Sequence, residues 1–310
     1  MDGPPVRGAA ATGARGPGRP LAQLVLGAVI ISASPVFVKA AALDGLGPTS
    51  IAFWRLALGA APLLVLARAR GEDLRVSRRV FGLALLAGAV FTADLFLWHR
   101  SINLVGAGLA TILGNTQVFN TAVLAWLLLG ERPARSFFPA AALGLAGVVL
   151  LVGLGSGVAL EGRYLLGVVL GLGTGVAYAG FLLITRTMAR RPSRPALLVI
   201  VAWVSLLGAA CSGAVCLLED DAFLPRSWGT WLNLAGLGVL VQAVGWWVIT
   251  AALPRLPGAT AGLVLLLQPV LATVWGALLF GERLGPLQLA GAGLTLAAIH
   301  LGTRAGPRPT

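Results

Sequence analysis

The sequence predicts an all-α polytopic membrane protein whose ten transmembrane helices form two inverted five-helix repeats. Hydrophobic residues make up 57% of the 310 residues and charged residues only 11%, whereas a soluble domain carries about a quarter charged residues. Ten apolar runs, each near the bilayer-crossing length of about 20 residues, follow one another along the chain. A motif of the first half also returns in the second half. Composition, run length and repetition together favour a membrane protein built from two related halves.

The apolar runs are interpreted as helices. They are uniformly apolar, whereas the strands of a membrane barrel alternate apolar and polar residues, and a helix satisfies its own backbone groups inside lipid. Small residues at every fourth position from Gly167 to Ala179 predict close packing of the sixth helix. Residues 1–20 are predicted to form a disordered cytoplasmic tail, because they are rich in Gly, Pro, Ala and Arg. The predicted spans are residues 21–39, 48–67, 80–98, 104–129, 137–155, 164–185, 196–217, 231–252, 258–280 and 286–303.

The basic residues predict the orientation. The net charge of +12 comes from residues scattered in short gaps between the apolar runs, not from the clustered basic face of a nucleic-acid-binding protein. With the N-terminus in the cytoplasm, seventeen Lys and Arg residues fall on the cytoplasmic side and five on the other. Cytoplasmic loops carry the excess of Lys and Arg. We therefore expect a multi-pass protein of the bacterial inner (plasma) membrane, with both termini in the cytoplasm and no nucleic-acid partner.

An internal repeat relates the two halves. Residues 107–133 and 259–284 share an apolar run that ends in Gly-Glu-Arg, and an offset of 151 residues places Gln117 on Gln268. Each half holds five helices, an odd number, so the second half enters the membrane upside down, as in many secondary transporters. Glu131 of the first Gly-Glu-Arg motif is interpreted as a helix-end charge that is paired locally. The repeats are expected at residues 21–155 and 164–303.

Several short motifs carry a family resemblance. The second helix contains an arginine in FWRLALGA (Arg55), the third contains Asp-Leu and Trp-His, the fourth begins with polar residues, and each half has its Gly-Glu-Arg motif. On these residues the chain, over about residues 21–303, resembles the EamA branch of the drug/metabolite transporter superfamily. That family often has proline in the middle of both the fourth and the ninth helix, whereas this chain has Val118 and Pro269. The resemblance implies a substrate path between the halves and transport of a small metabolite, in a superfamily whose substrates span amino acids, nucleosides, drugs and sugars.

Asp94 is the only acidic residue deep inside a predicted span. A charge at that depth is costly in lipid and marks a functional site by default. Two roles stay open: a carboxylate that exchanges a proton for substrate, and a structural ion pair with Arg55. Both residues lie about 6–10 Å below the same membrane surface at 1.5 Å per helical residue. The sequence favours direct contact between them, with Asp94 also facing a cavity.

Polar and aromatic residues within the spans are the other candidate substrate contacts. Gln268 occupies the position equivalent to Gln117, and Pro269 frees a backbone carbonyl at a depth where irregular backbone normally lines a cavity. Hydrogen bonding between helices is the alternative role for such amides. Aromatic residues can stack on a planar or cationic substrate, and the alternative for them is the interfacial belt. The predicted site, between helices three, four, eight and nine, comprises Asp94, Trp98, Asn115, Gln117, Tyr178, Gln242, Trp246, Gln268 and Pro269.

These features predict a secondary transporter of a small organic metabolite, with export favoured and proton coupling left open. A multidrug exporter is the alternative. An intramembrane enzyme is disfavoured, because intramembrane aspartyl chemistry needs two carboxylates that share a site. The two cysteines match no metal-binding or redox spacing, and no cofactor is expected. The expected partners are a small-molecule solute and the lipid bilayer, and a homodimer is left open.

Overall fold

The computed structural model describes residues 18–152, 162–190, 195–219, 222–280 and 285–304. These residues form thirteen α-helices with one π-helical and one 3-10 stretch, and no strand occurs among them. The predicted tail before residue 18 and the second Gly-Glu-Arg motif lie outside the described residues. The helices are α1 (Gly18–Ser32), α2 (Ser34–Ala42), α3 (Pro48–Ala69), α4 (Arg78–Asn115), α5 (Gln117–Leu129), α6 (Phe137–Val152), α7 (Gly162–Ala189), α8 (Leu197–Cys216), α9 (Trp228–Gly236), α10 (Trp246–Ala252), α11 (Gly258–Val264), α12 (Leu267–Phe280) and α13 (Pro286–Arg304).

Seven helical stretches among the described residues are long and apolar enough to cross a membrane. Three shorter apolar helices accompany them, and the ten stretches overlap the ten predicted segments in order. The fold is therefore that of an all-helical, multi-pass membrane protein. The seven long stretches are Arg19–Ala42, Pro48–Ala69, Arg78–Ser101, Gly162–Ala189, Leu197–Cys216, Trp228–Arg255 and Gly258–Leu279, and the shorter ones are Leu113–Leu129, Phe137–Leu150 and Pro286–Gly302.

The first predicted span is divided at its middle, where the sequence predicts one continuous helix. The helix α1 ends at Ser32 and α2 begins at Ser34. Pro35 is the cause, because proline has no N–H for the helical ladder and disfavours helical geometry in the preceding residue. The Ser32 hydroxyl donates to the carbonyl of Val29 at 2.6 Å, and the Trp275 indole donates to the Ser32 oxygen at 2.8 Å. The break thereby ties the first span to α12.

The third predicted segment and the first part of the fourth lie within one helical range, α4, where the sequence predicts a gap. A straight helix would separate residues 98 and 114 by about 24 Å. However, a Cβ atom on Gly114 would lie 4.0 Å from Trp98 Cδ1, and Gly171 of α7 lies against both Ser101 and Leu113. The chain therefore reverses direction inside α4, and the two predicted segments are neighbours although the helical backbone does not end between them.

Equivalent helix breaks occur in the fourth and ninth predicted segments. The helix α4 gives way to α5 at Thr116, and α11 gives way to α12 at Leu265 and Leu266. The helices that follow begin within one residue of the offset of 151. At each break an amide bonds to the carbonyl three residues earlier, from Thr116 to Leu113 and from Leu266 to Leu263, both at 3.1 Å. The first break forms without proline, because the Thr116 hydroxyl also donates to the Leu113 carbonyl at 2.6 Å.

The two halves pack along three long helix pairs: α4 with α7, α3 with α8, and α6 with α13. Glycine permits the closest approaches, since a Cβ on Gly88 of α4 would lie 2.6 Å from the backbone nitrogen of Gly208 in α8. Gly171 and Gly175 of α7 lie directly against α4 and the Thr116 break. The predicted close packing of the sixth helix is confirmed at these two residues.

The connecting segments gather at two ends of the bundle. At the end that we call the arginine-poor end, the amide of Gly47 donates to the Ala222 carbonyl, and the Trp54 indole donates to the Phe223 carbonyl. At the opposite, arginine-rich end, the Trp203 indole donates to the Leu74 carbonyl. This end carries Arg68, Arg70, Arg75, Arg132, Arg135, Arg186, Arg190 and Arg255.

Candidate functional site

Arg55 is held in the interior by polar groups from both halves of the chain. It is buried in α3, and its Nε donates to Gln242 Oε1 at 3.0 Å while Nη1 donates to Ser34 Oγ at 3.4 Å. The Gln242 amide nitrogen in turn donates to Ser205 Oγ at 3.1 Å. The guanidinium carbon also lies 5.4 Å from the ring centre of Phe91. A guanidinium has five N–H donors, so most of its hydrogen-bonding capacity is left over.

Gln242 sits in an unusual stretch of backbone. Residues Leu237–Gly245 form a π-helix between α9 and α10. Such stretches are rare and occur frequently at functional sites. Gly59 of α3 makes room for the side chain, because a Cβ at that position would lie 2.5 Å from Gln242 Cγ. The sequence placed Gln242 in the candidate site but gave no sign of the π-helix.

Asp94 stands close to Arg55 without touching it. Asp94 as a whole is only 8% exposed. Among the described residues it forms no ion pair and no hydrogen bond. The predicted direct contact with Arg55 is therefore wrong: Gln242 and Ser34 engage the guanidinium instead, although the two charges still attract each other through space. Among the described residues, Asp94 therefore does not join α4 to α3 through a direct ion pair.

An aromatic wall lies beside the two charges. Phe91 stacks on Phe181 with ring centres 4.4 Å apart. Trp246 meets Phe181 edge to face at 4.7 Å and Phe91 at 5.5 Å, and Tyr178 meets Trp246 at 6.1 Å. Within the described part of the chain, the buried indole nitrogen of Trp246 has no hydrogen-bond partner. The structure thus brings together two predicted residues, Tyr178 and Trp246, and Phe91 joins them to Arg55.

The two equivalent glutamines behave differently. The Gln268 amide donates to the Tyr178 hydroxyl at 3.1 Å, so it adjoins the aromatic wall from α12, with Pro269 next in the chain. Gln117 is fully buried, donates to the Gly262 carbonyl at 3.0 Å and accepts from the Thr121 hydroxyl at 3.1 Å. The bond to Gly262 joins α5 to α11, which supports the helix-packing alternative for Gln117.

The remaining predicted residues lie farther along α4. Trp98 is one helical turn beyond Asp94, and its ring centre is 5.3 Å from that of His99. Asn115 is half-buried at the break before α5. Ser34 and Ser205 were not predicted. A serine directly before the helix-breaking Pro35 was the available signal for Ser34, whereas nothing in the sequence distinguished Ser205.

Charged contacts join the halves at the arginine-poor end. Glu219, after α8, accepts hydrogen bonds from Arg100 and from the Thr49 hydroxyl, the latter at 2.5 Å. Partial burial raises the pKa of Glu219, but the bonds from Thr49 and Arg100 outweigh it and hold the pKa below its ordinary value. We call this set of three residues the outer latch.

A second charged cluster joins the halves at the arginine-rich end. Arg186 is 1% exposed and donates to Glu131 Oε2 at 2.7 Å and to the carbonyls of Leu253, at 2.9 Å, and Leu256. Arg190 bonds the other oxygen of Glu131 at 3.0 Å. Burial raises the pKa of Glu131, but the bonds from Arg186 and its charge outweigh this and lower the pKa overall. The predicted local pairing of Glu131 is wrong, because its partners are Arg186 on α7 and Arg190 directly after that helix. We call Glu131, Arg186 and Arg190 the inner latch.

Comparisons with known proteins agree with this architecture. The model of the EamA-like transporter family matches residues 19–153 and again residues 165–303. The chain is 26% identical over 274 residues to the "Uncharacterized transporter YwfM" of Bacillus subtilis, covering 87% of this chain and 89% of that protein. It is 27% identical over 203 residues to a "Probable amino-acid metabolite efflux pump" of Salmonella typhimurium, covering 63% and 67% respectively.

A solved crystal structure shares the fold. It superposes with a TM-score of 0.79 at 19% sequence identity, over 92% of this chain and 98% of that one. The family match occurs twice, once in each half, and together the two matches cover most of the chain. The protein is thus a membrane transporter, and it belongs to the EamA-like transporter family.

Proposed function

We propose that this chain is a secondary transporter that exports a small organic metabolite in exchange for protons. The observation that carries the proposal is Asp94, a buried carboxylate without a hydrogen-bond or ion-pair partner among the described residues. A carboxylate in apolar surroundings can bind a proton or a cationic group of the substrate, but not both. That competition couples the downhill movement of protons to the uphill movement of solute.

The substrate proposed for this site carries both charge signs. Arg55 has donors left over for a carboxylate, Asp94 can accept an ammonium group, and the aromatic wall offers apolar surface for the rest of the molecule. An amino-acid metabolite has this chemistry, and one relative is named as an efflux pump for such compounds. A multidrug exporter is the second candidate, because the aromatic wall beside one carboxylate also suits a flat organic cation.

The mechanism proposed is alternating access between two inverted five-helix repeats, residues 21–155 and 164–303. The equivalent helix breaks in the fourth and ninth segments support the repeat. Arg55 and Asp94 come from the first repeat, whereas Tyr178, Gln242 and Trp246 come from the second. Each latch also joins one repeat to the other. Opening the outer latch exposes the site to one side of the membrane, and opening the inner latch exposes it to the other.

The orientation proposed places the arginine-rich end in the cytoplasm of a bacterial cell. Positive residues are enriched in cytoplasmic loops, and the outer latch then faces the periplasm. Both termini are cytoplasmic in this arrangement, and the chain functions in the inner membrane. The two opposite charges of the site lie nearer the outer latch than the inner one along α3 and α4.

Proteoliposomes test this function. Purified protein is reconstituted with a radiolabelled mixture of the protein amino acids inside the vesicles, and release is followed with and without a pH gradient. We expect the gradient to accelerate release, and Asp94→Asn to abolish that acceleration while exchange of solute for solute continues. Release that ignores the gradient in the wild-type protein refutes proton coupling. Release of a planar organic cation instead of amino acids selects the multidrug alternative.

A further inference from the structure

The site contains two opposite buried charges, Arg55 and Asp94, that do not form an ion pair. Some other interaction must therefore keep them apart. Arg55 has a long, flexible side chain, and its guanidinium already lies over Phe91, three residues before Asp94 on α4. Residues three apart on a helix share a face, with about 5–6 Å between their Cβ atoms. Asp94 is therefore within reach of a small rotation of the Arg55 side chain, and attraction between the charges favours that rotation.

Gln242 supplies the competing interaction. Its carbonyl oxygen accepts from Arg55 Nε at 3.0 Å, while its amide nitrogen is bound to Ser205 Oγ at 3.1 Å. The second bond fixes the amide with its oxygen toward Arg55. Gln242 and Ser205 are buried, so water does not compete for either bond. The other acceptor, Ser34 Oγ, lies at the longer distance of 3.4 Å and is the weaker restraint.

We propose that Gln242 is a positioning residue that holds Arg55 away from Asp94, so that both charges stay available to the transported solute. The inference rests on the proposed function for the identity of the solute, but not for the geometry. Without the glutamine, Arg55 turns to Asp94 and the two close into an ion pair that occupies the site from within. The π-helical backbone at Gln242 then has a function, because its conversion to α-helix would turn the amide away from Arg55 and release the arginine.

Carbodiimide labelling tests the proposal without a substrate. Dicyclohexylcarbodiimide is an apolar reagent that couples to carboxylic acids in membranes but not to a carboxylate held in an ion pair. The ionisable groups that interact with Asp94 are Arg55 and Tyr178. We expect wild-type protein in lipid to be labelled at Asp94, as located by peptide mapping, and Asp94→Asn to lose this label. Gln242→Leu should slow the labelling roughly tenfold or more, the effect of an opposite charge brought into contact.

A second background separates positioning from mere packing. When Arg55→Gln is already present, Gln242→Leu should leave the labelling rate of Asp94 within about twofold, because no cation remains to be released. Gln117→Leu is the matched control, since it removes another fully buried glutamine that does not bond Arg55, and it should not slow labelling. Gln242→Met replaces Gln242→Leu if the leucine variant does not fold.

The outcomes are distinct. Wild-type labelling rates in Gln242→Leu or Gln242→Met overturn the positioning role, as does equal slowing with and without Arg55. Neither result depends on transport, so the proposed exporter function stands or fails separately in proteoliposomes. In that assay, Gln242→Leu should raise the KM for amino-acid exchange about tenfold, with a much smaller change in the Asp94→Asn background. An equal rise in both backgrounds indicates damage to packing and also overturns the proposal.

Discussion

Replacing Arg186 by leucine should destabilise the inner latch by about 2–4 kcal/mol. The change removes a buried donor of three hydrogen bonds and leaves the carbonyls of Leu253 and Leu256 without it. Each buried carbonyl that loses its partner costs about 1–3 kcal/mol. Water from the nearby membrane surface lowers the total cost of the two carbonyls. Glu131 adds little to that cost, because it keeps bonds from Arg190 and from the Gly258 amide. The two carbonyls therefore dominate the cost.

Arg190→Gln is the matched control, because Arg190 bonds the same carboxylate from a side chain that is 43% exposed. An exposed pair of this kind contributes about 0–1 kcal/mol. The free energy of unfolding is measured for both variants in the same detergent by tryptophan fluorescence. Arg186→Lys should fall between them, because lysine keeps the charge but lacks the planar fork that reaches several acceptors. Equal losses for Arg186→Leu and Arg190→Gln would show that burial does not determine the strength of this latch.

Three further predictions address packing, the outer latch and orientation. Gly88→Val should separate α4 from α8 and destabilise the protein by about 1–3 kcal/mol, because even a Cβ at this position would lie 2.6 Å from the backbone of α8. Gly82→Val is the control and should be tolerated, because a Cβ there has no atom within 4 Å. Similar thermal stability of the two variants contradicts this prediction. Because the folded pKa of Glu219 is depressed, its contribution to the outer latch is present above its ordinary pKa of about 4.3 and is lost as pH falls through the lower folded value. The free energy of unfolding of the wild-type protein should therefore exceed that of Glu219→Gln at neutral pH, and the difference should disappear as the pH falls below about 4.3; a difference that persists in acid contradicts this. A C-terminal alkaline phosphatase fusion, which is active only in the periplasm, should be silent, and an active fusion reverses the orientation.

Much of the architecture could be read from local sequence because lipid imposes it. The order and approximate bounds of the apolar helices follow from run length and helix-breaking residues. The two halves follow from the duplicated motif, which the double family match supports. The division of the first span at Ser32 was missed, although Pro35 was a visible signal. The continuous range of α4 was missed because a gap in hydropathy does not require a break in helical hydrogen bonding.

The candidate site shows where local reasoning ends. Polarity and position inside a predicted span identified Arg55, Asp94 and Gln242 individually, because polar groups deep in a membrane span are costly. The sequence predicted that the two charges pair, since a cation and an anion at similar depth attract. Which acceptor Arg55 uses depends instead on a residue 187 positions away, presented by a π-helix.

The latches follow the same division. The sequence alone determined that Glu131 ends an apolar helix near a membrane surface and that arginines cluster at that surface. Only the tertiary structure decided that its partner is Arg186, 55 residues away on α7, rather than a neighbour in the chain. Hydropathy and charge bias are properties of single segments, and they determine the position of each segment in the membrane without reference to its neighbours. Partner choice among buried polar groups is a property of helices brought together, because it is set by competing contacts that exist only after the segments have packed.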